Sequence, residues 1–246
     1  MSTFLHLEIY PASVLFISFS FRNISEATLA ILKGETIPLD VLKIKGEQDQ
    51  PVFALTSLRW GSYRDAAGTS TKNGPRDIRP PSCSWDPLSA LQRNPRKSQY
   101  AHLFLLEYTE GLPTTEIPVE EPPEQWEEVQ LSAVELTIST QNYPPDLTRS
   151  LDSMSICIEP DTISKSEFIR TGIEKIKDPL QCPKDSQKLH ASRCNIQLPQ
   201  GTDGHFSIDS EEYEAMAVEV TLLPRKLRFL CHPSQKEQFT QTAAPA

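Results

Sequence analysis

The densest acidic stretch of this 246-residue chain is SIDSEEYE, Ser207 to Glu214. Asp209 and Glu211 stand two positions apart, so on a strand both side chains share a face. Two carboxylates held that way repel each other unless a cation or a metal-bound phosphate compensates. Such a pair could position Mg²⁺ or accept the proton of a substrate hydroxyl. A solvated turn between Ile208 and Met216 is the plainer reading of the same residues. A second stretch, LRWGSYRDA, gathers Trp60, Gly61, Arg64 and Asp65 at one strand end. Its glycine would let the backbone approach another surface closely. The alternative is a strand running into a turn with a surface Arg–Asp pair. In the third, LLPRKLRF, Arg225, Lys226 and Arg228 form a basic cluster that could meet a phosphate, or simply solvated bases at a hairpin turn set by Pro224. Each histidine is isolated, and no Ser–His–Asp set can be assembled. Asn23-Ile24-Ser25 fits a glycosylation acceptor, a pattern short enough to arise by chance.

The elements around these residues read mostly as strands. SEATLAILKGE predicts a short helix or strand ending at Gly34. Leu42 and Ile44 alternate with Lys43 and Lys45, the period of a half-buried strand. GEQDQ then makes a turn, and Val52 to Trp60 is apolar on both faces, so a β-hairpin runs from Leu39 to Trp60. After Glu127, alternating runs are centred on Val134–Ile138, Met154–Ile158, Cys194–Leu198, Met216–Leu222 and Leu227–Cys231. Many short alternating runs without a long amphipathic helix predict an antiparallel sandwich or barrel.

Between these zones proline dominates. Nine of the 21 prolines fall between residues 75 and 123. Proline removes a backbone donor and fixes φ, so segment 67–126 reads as a disordered insertion. One apolar island, Tyr100 to Tyr108, interrupts it. The expected organisation is an unmatched segment 1–21, a first part of the β lobe over 22–66, the insertion, the main β lobe over 127–231 and a flexible tail from 232 to 246.

Composition narrows the function classes. A formal net charge of −9 argues against a nucleic-acid partner, which needs a basic face. It leaves peripheral membrane contact through a local patch open. Val14 to Phe21 is apolar but far short of the roughly 20 residues a spanning helix needs. No positive charge precedes it, as a secretory signal would require, and no targeting segment is evident. Cysteines at 83, 157, 182, 194 and 231 include no Cys-x-x-Cys pair, which disfavours structural zinc. Thiols are expected, with Cys182 and Cys194 the pair that could close a small loop in an oxidising compartment.

Longer stretches carry a resemblance. ATLAILKGETIPLDVLKIKGEQDQPVFALTSLRWGSYRDA, ICIEPDTISKSEFI and FSIDSEEYEAMAVEVTLLPRKLRFLC resemble the acylglycerol kinases, within the wider family of diacylglycerol, sphingosine and ceramide kinases. The matching runs cover residues 22–66 and roughly 127–231. The resemblance implies the β-sandwich lobe of an ATP-dependent lipid kinase, the active site lying between it and an amino-terminal nucleotide-binding lobe. It implies that Asp209-Ser210-Glu211 occupies the place of the family's Asp-Gly-Glu. Asp209 and Glu211 would then organise metal and phosphate or deprotonate the acceptor, with Ser210 beside the nucleotide. Sphingosine kinases have an acidic residue where Ala67 stands, so that contact does not carry over.

It further implies Mg²⁺ and ATP as cofactors of the complete enzyme and acylglycerol lipids as substrates. The implied location is mitochondrial, at the inner membrane or intermembrane space. A non-catalytic role beside subunits of the inner-membrane carrier translocase is the alternative. The family's Gly-Gly-Asp-Gly-Thr phosphate loop does not occur in these 246 residues, and neither does the Lys-Tyr-Trp-Tyr-Leu-Gly-type run expected after Trp60-Gly61. The expectation is therefore a carboxy-terminal lobe that binds no ATP and is inactive alone.

Overall fold

The computed structural model describes residues 24–47, 50–63, 99–106, 126–143, 145, 147, 149–199, 202 and 204–231. A helix, α1 (Ile24–Lys33), opens the described chain. It stops at Gly34, which takes φ +62° and donates to the Ala30 carbonyl at 3.0 Å. That left-handed cap is cheap only without a Cβ. Three strands follow: β1 (Thr36–Lys45), β2 (Val52–Ala54) and β3 (Ser57–Gly61). Next come β4 (Gln99–Leu106), the long β5 (Glu127–Ser139) and β6 (Met154–Pro160). A second helix, α2 (Lys165–Lys177), leads to β7 (Gln187–Ala191), β8 (Arg193–Gln197), β9 (His205–Ile208), β10 (Glu211–Glu214) and the long β11 (Val218–Leu230).

All strand pairs among the described residues are antiparallel. The order runs β10-β9-β3-β5-β4-β8-β11-β1-β2, with β6 and then β7 added beside β5. The sheet curls on itself, because one core cluster draws Leu42 from β1, Trp60 from β3, Leu103 from β4, Ile156 from β6, Ile196 from β8 and Val220 from β11. A flat sheet of this width could not bring those side chains together. Twist and a bulge supply the curl.

The bulge lies in β5, where the register against β6 shifts between Ala133 and Glu135. Before it Leu131 and Ala133 face the core; after it Leu136 and Ile138 do. The inward positions thus change from odd to even. Val134 turns to the outer face, into a separate cluster with Tyr63 and Phe168. Strand β3 closes on β5 at this point. A Cβ on Gly61, at φ +142°, would stand 2.3 Å from the Val134 carbonyl oxygen. The close approach expected of this glycine is made against its own sheet.

Three expectations are corrected. Alternation alone missed α2, whose Phe168, Thr171, Gly172 and Lys175 are buried on one helical face. Its start is fixed by a capping box: Ser164 Oγ accepts from the Glu167 N–H at 3.2 Å, and Glu167 Oε2 accepts from the Ser164 N–H at 3.0 Å. The runs 216–222 and 227–231 are not two strands separated at Pro224. They form a single β11 with a bulge, in which Leu39 pairs Leu227 but Val41 pairs Leu223. The apolar island inside the Pro-rich stretch is strand β4, hydrogen-bonded between β5 and β8 in mid-sheet. Most of segment 67–126, together with 1–21 and the tail, lies outside the described residues.

Candidate functional site

Asp209 and Ser210 form the two-residue turn of the β9–β10 hairpin, with Ile208 pairing Glu211 across it. Both take positive φ, 46° and 79°. Two-residue turns of this hand match the right-handed twist of the strands they join. Aspartate tolerates that region through its short polar side chain; Ser210 stands at the second position, which a glycine would fill without steric cost.

The Asp209 carboxylate is directed into the protein. Oδ2 accepts from the Leu55 N–H at 2.6 Å, and Oδ1 accepts from the N–H groups of Thr56 at 2.9 Å and Ser57 at 3.0 Å. The Thr56 hydroxyl donates to Oδ1 as well. These donors come from the bend between β2 and β3, and the Asp209 N–H returns a bond to the Ser57 carbonyl at 3.0 Å. One carboxylate thus ties the tip of the acidic hairpin to the strand bend.

Glu211 differs. It is the first residue of β10, is exposed, and accepts a 2.9 Å bond from the Tyr213 hydroxyl. That hydrogen bond holds the Tyr213 phenol above its ordinary pKa. Asp209 and Glu211 are therefore not successive same-face positions of one strand, because the turn falls between them. Glu212 and Glu214 instead line an open cleft with Thr202, Gly204 and His205.

The segment after β3 leads to a buried charged layer. Trp60 is in the core, edge-on to Phe206 at 6.0 Å. On the opposite face the Arg59 guanidinium donates to Glu135 Oε1 at 2.5 and 3.0 Å. Tyr63 stacks on Phe168 of α2 at 4.5 Å, with the Lys175 ammonium 5.6 Å from its ring. Lys175 Nζ lies 2.6 Å from Glu159 Oε1, and both side chains are buried. Burial pushes the Glu159 carboxyl up to about 7, although the Lys175 charge pulls the other way. Burial, and then the Glu159 charge, raise the Tyr63 phenol. Arg64 and Asp65 lie outside the described residues.

The basic cluster is not three solvated bases on a turn. Arg225, at φ 53° in the β11 bulge, donates its N–H to Asp40 Oδ1 at 2.9 Å. Its guanidinium donates to the Arg149 carbonyl at 3.1 Å. Arg149 in turn bonds Asp40 at 2.5 Å and Asp152 at 3.0 Å. Asn142 completes the knot, accepting from the Asp40 N–H and donating to the Asp40 and Leu55 carbonyls, all within 2.9 Å. Lys226 and Arg228 remain exposed. Residues 40, 142, 149 and 225 are too far apart in the chain for a local motif to announce them.

Cysteine pairing also departs from expectation. The bond joins Cys157 to Cys182, while Cys194 is a buried thiol on β8. The helix between the two partners returns the chain to β6, which spacing alone does not reveal. Among the described residues, no group of three or more His, Cys, Asp or Glu side chains is placed to hold a metal ion.

Comparison with known proteins matches this hairpin-bearing sheet to one family. The family model described as "Acylglycerol kinase C-terminal" matches residues 74–244. The chain belongs to the acylglycerol kinase family. Curated relatives include "Acylglycerol kinase, mitochondrial" of Xenopus laevis, 55% identical over 250 residues, covering 90% of this chain and 58% of that protein. The Homo sapiens protein of the same name is 45% identical over 249 residues, covering 89% and 58%. The chain thus spans somewhat over half the length of these acylglycerol kinases. A solved structure described as a putative diacylglycerol kinase from Bacillus anthracis superposes with a TM-score of 0.50 at 12% identity, covering 87% of this chain and 64% of that one. That likeness concerns the fold, and it agrees with the antiparallel lobe expected from the alternating runs. The acylglycerol kinase match also spans residues 74–126, outside the runs that carry the sequence resemblance.

Proposed function

We propose that this chain is the β lobe of a mitochondrial lipid kinase, in which the Asp209–Ser210–Glu211 turn faces the transferring phosphate of ATP. The observation that supports the reading most directly is the division of labour in the turn. Asp209 spends its carboxylate on three backbone N–H groups and a hydroxyl of the Leu55–Ser57 bend, so the turn is held rigidly. Glu211, one residue beyond the turn, keeps an exposed carboxylate steadied by the Tyr213 hydroxyl. A charge preorganised in this way costs little reorganisation when the reaction occurs. Glu211 is the group that would reach Mg²⁺, or accept the proton of an acylglycerol hydroxyl. Asp209 is a positioning residue, and Ser210 lends the turn its backbone. Mg²⁺ in such sites borrows ligands from substrate phosphates, which suits one available carboxylate better than a closed cage. Bound Mg-ATP would supply the phosphoryl group and part of the charge neutralisation.

The test uses a complete relative, such as the Xenopus laevis protein, carrying the change equivalent to Glu211→Gln. The rate of lysophosphatidic or phosphatidic acid formation should fall by about 100-fold, with KM for the lipid and the melting temperature nearly unchanged. A loss under threefold, or equal losses from the positions of Glu212 and Glu214, would refute the role given to Glu211.

A second reading, implied by the same family resemblance, requires no catalysis. On this reading the chain serves as a non-catalytic subunit beside the mitochondrial inner-membrane carrier translocase. Co-purification with translocase subunits by a Glu211→Gln variant would support it; loss of binding in that variant would count against it.

A further inference from the structure

Helix α2 lies over the outer faces of β5 and β6, and two links hold its carboxyl end there. One is covalent, the bond from Cys157 of β6 to Cys182. The other is Lys175, whose ammonium lies 2.6 Å from Glu159 of β6 and donates to the Gln181 carbonyl at 3.1 Å. Glu159 is two residues from Cys157 on one strand, and Gln181 immediately precedes Cys182. The disulfide and the lysine therefore join the same two backbone segments. The other hydrogen bonds of the segment from Asp178 to Ser186 are local: Asp178 N–H to the Glu174 carbonyl and Gln181 N–H to the Asp178 carbonyl, both at 3.1 Å, and Leu180 N–H to Asp178 Oδ1 and Ser186 N–H to the Pro183 carbonyl, both at 3.2 Å. A buried ion pair keeps its full attraction only while water is excluded. Here the exclusion depends on how firmly that short segment is pinned.

We propose that the Cys157–Cys182 bond is a thiol-responsive latch. When intact, it closes residues 178–186 over the buried Lys175–Glu159 pair; when reduced, it frees that segment and the last turn of α2. Cys157 is buried and Cys182 is partly exposed. An incoming thiolate of a dithiol reductant therefore attacks the Cys182 sulfur. The S–S bond breaks, and Cys157 leaves as a thiolate and takes a proton. The second thiol of the reductant displaces Cys182 from the mixed disulfide, so the reductant ends as a disulfide. Its two electrons and two protons end on the two cysteines. Cys194, buried on β8, takes no part.

A run of contacts through the sheet joins the latch to the acidic hairpin. Glu159 pairs Glu135 across β6 and β5, Glu135 holds Arg59 of β3, and Ser57 of β3 binds Asp209. The inference itself rests on the fold and holds whether or not the kinase reading does.

The full chain is compared oxidised and after treatment with dithiothreitol in native buffer. Cysteine states are mapped by alkylation and mass spectrometry, and amide hydrogen exchange is followed peptide by peptide. Reduction should expose Cys157 and Cys182 to alkylation and speed exchange across residues 170–186 by about tenfold or more. Peptides from β1, β5 and β11 should keep their protection. The Cys157→Ser/Cys182→Ser variant should match the reduced protein and ignore the reductant. Unchanged exchange over 170–186 after verified reduction would overturn the latch. A uniform rise over the whole chain would overturn it too, by making the bond a global staple. So would finding both cysteines already alkylatable in unreduced protein trapped at cell lysis.

Discussion

Replacing Asp209 separates the anchoring of the acidic turn from any chemistry carried out beside it. Its carboxylate accepts from the N–H groups of Leu55, Thr56 and Ser57 and from the Thr56 hydroxyl. Hydrogen bonds to a charged group are each worth about 1.5–3 kcal/mol when buried. These are partly buried, and water can replace some of them when the carboxylate is lost. A net cost of about 3 kcal/mol is therefore expected for Asp209→Ala, plus about 1 kcal/mol for placing alanine at φ 46°. Asp209→Asn avoids the second cost, because asparagine tolerates that backbone. It keeps one acceptor oxygen and loses the charge, so about 1.5 kcal/mol is expected. Glu211→Gln, at an exposed position, should change stability by less than about 0.5 kcal/mol. Urea unfolding followed by circular dichroism measures all three, with an unchanged m-value as the check on two-state behaviour. The order Ala, then Asn, then the Glu211 variant is required. If Asp209→Ala and Glu211→Gln lie within 0.5 kcal/mol of each other by this measurement, the anchoring argument is wrong.

Lys175→Met should destabilise by about 3–5 kcal/mol by leaving Glu159 buried and unpaired, and Lys175→Met with Glu159→Leu should recover most of the loss in the same unfolding experiment. The Glu159 carboxyl is raised from about 4.5 to about 7 on folding, so the folded state holds the extra proton. Its contribution is full below pH 4.5 and is lost as pH rises towards 7; melting temperatures across that window should fall less in Glu159→Gln than in the wild type. Gly61→Ala puts a Cβ 2.3 Å from the Val134 carbonyl at φ +142°, and a loss above about 3 kcal/mol is expected, visible as a low yield of folded protein. The isolated chain should form no phosphatidic or lysophosphatidic acid from labelled ATP, and product above background would restore catalysis to this chain alone.

Much of the sheet was legible in advance for a physical reason. A strand that buries one face must alternate, so Leu42 and Ile44, Ile156 and Ile158, and Cys194 and Ile196 declare themselves. Where a strand departs from regular pleating, the signal fails. The bulge in β5 sends Val134 outward while Leu136 and Ile138 face the core, so an unbroken alternation describes only part of that strand. The bulge in β11 hides Pro224 within a strand, where a proline would ordinarily argue for a turn. Helix α2 did leave a signal, Ser164-Lys165-Ser166-Glu167 ahead of Phe168 and Ile169, but a short helix among alternating runs is easily overlooked.

The sequence by itself determined that the chain is a mainly β lobe, that it carries the acidic stretch Asp209-Ser210-Glu211, and that it resembles the acylglycerol kinases. Each of these depends on residue type and local order, which a linear pattern records. Only the tertiary structure decided what those residues touch. Asp209 bonds a bend more than 150 positions away, Asp40 meets Arg149 and Arg225, and Cys157 meets Cys182 across a helix. Partner choice of this kind is set by where the curled sheet returns the chain. That is a property of all the strands together, and no single stretch of sequence encodes it.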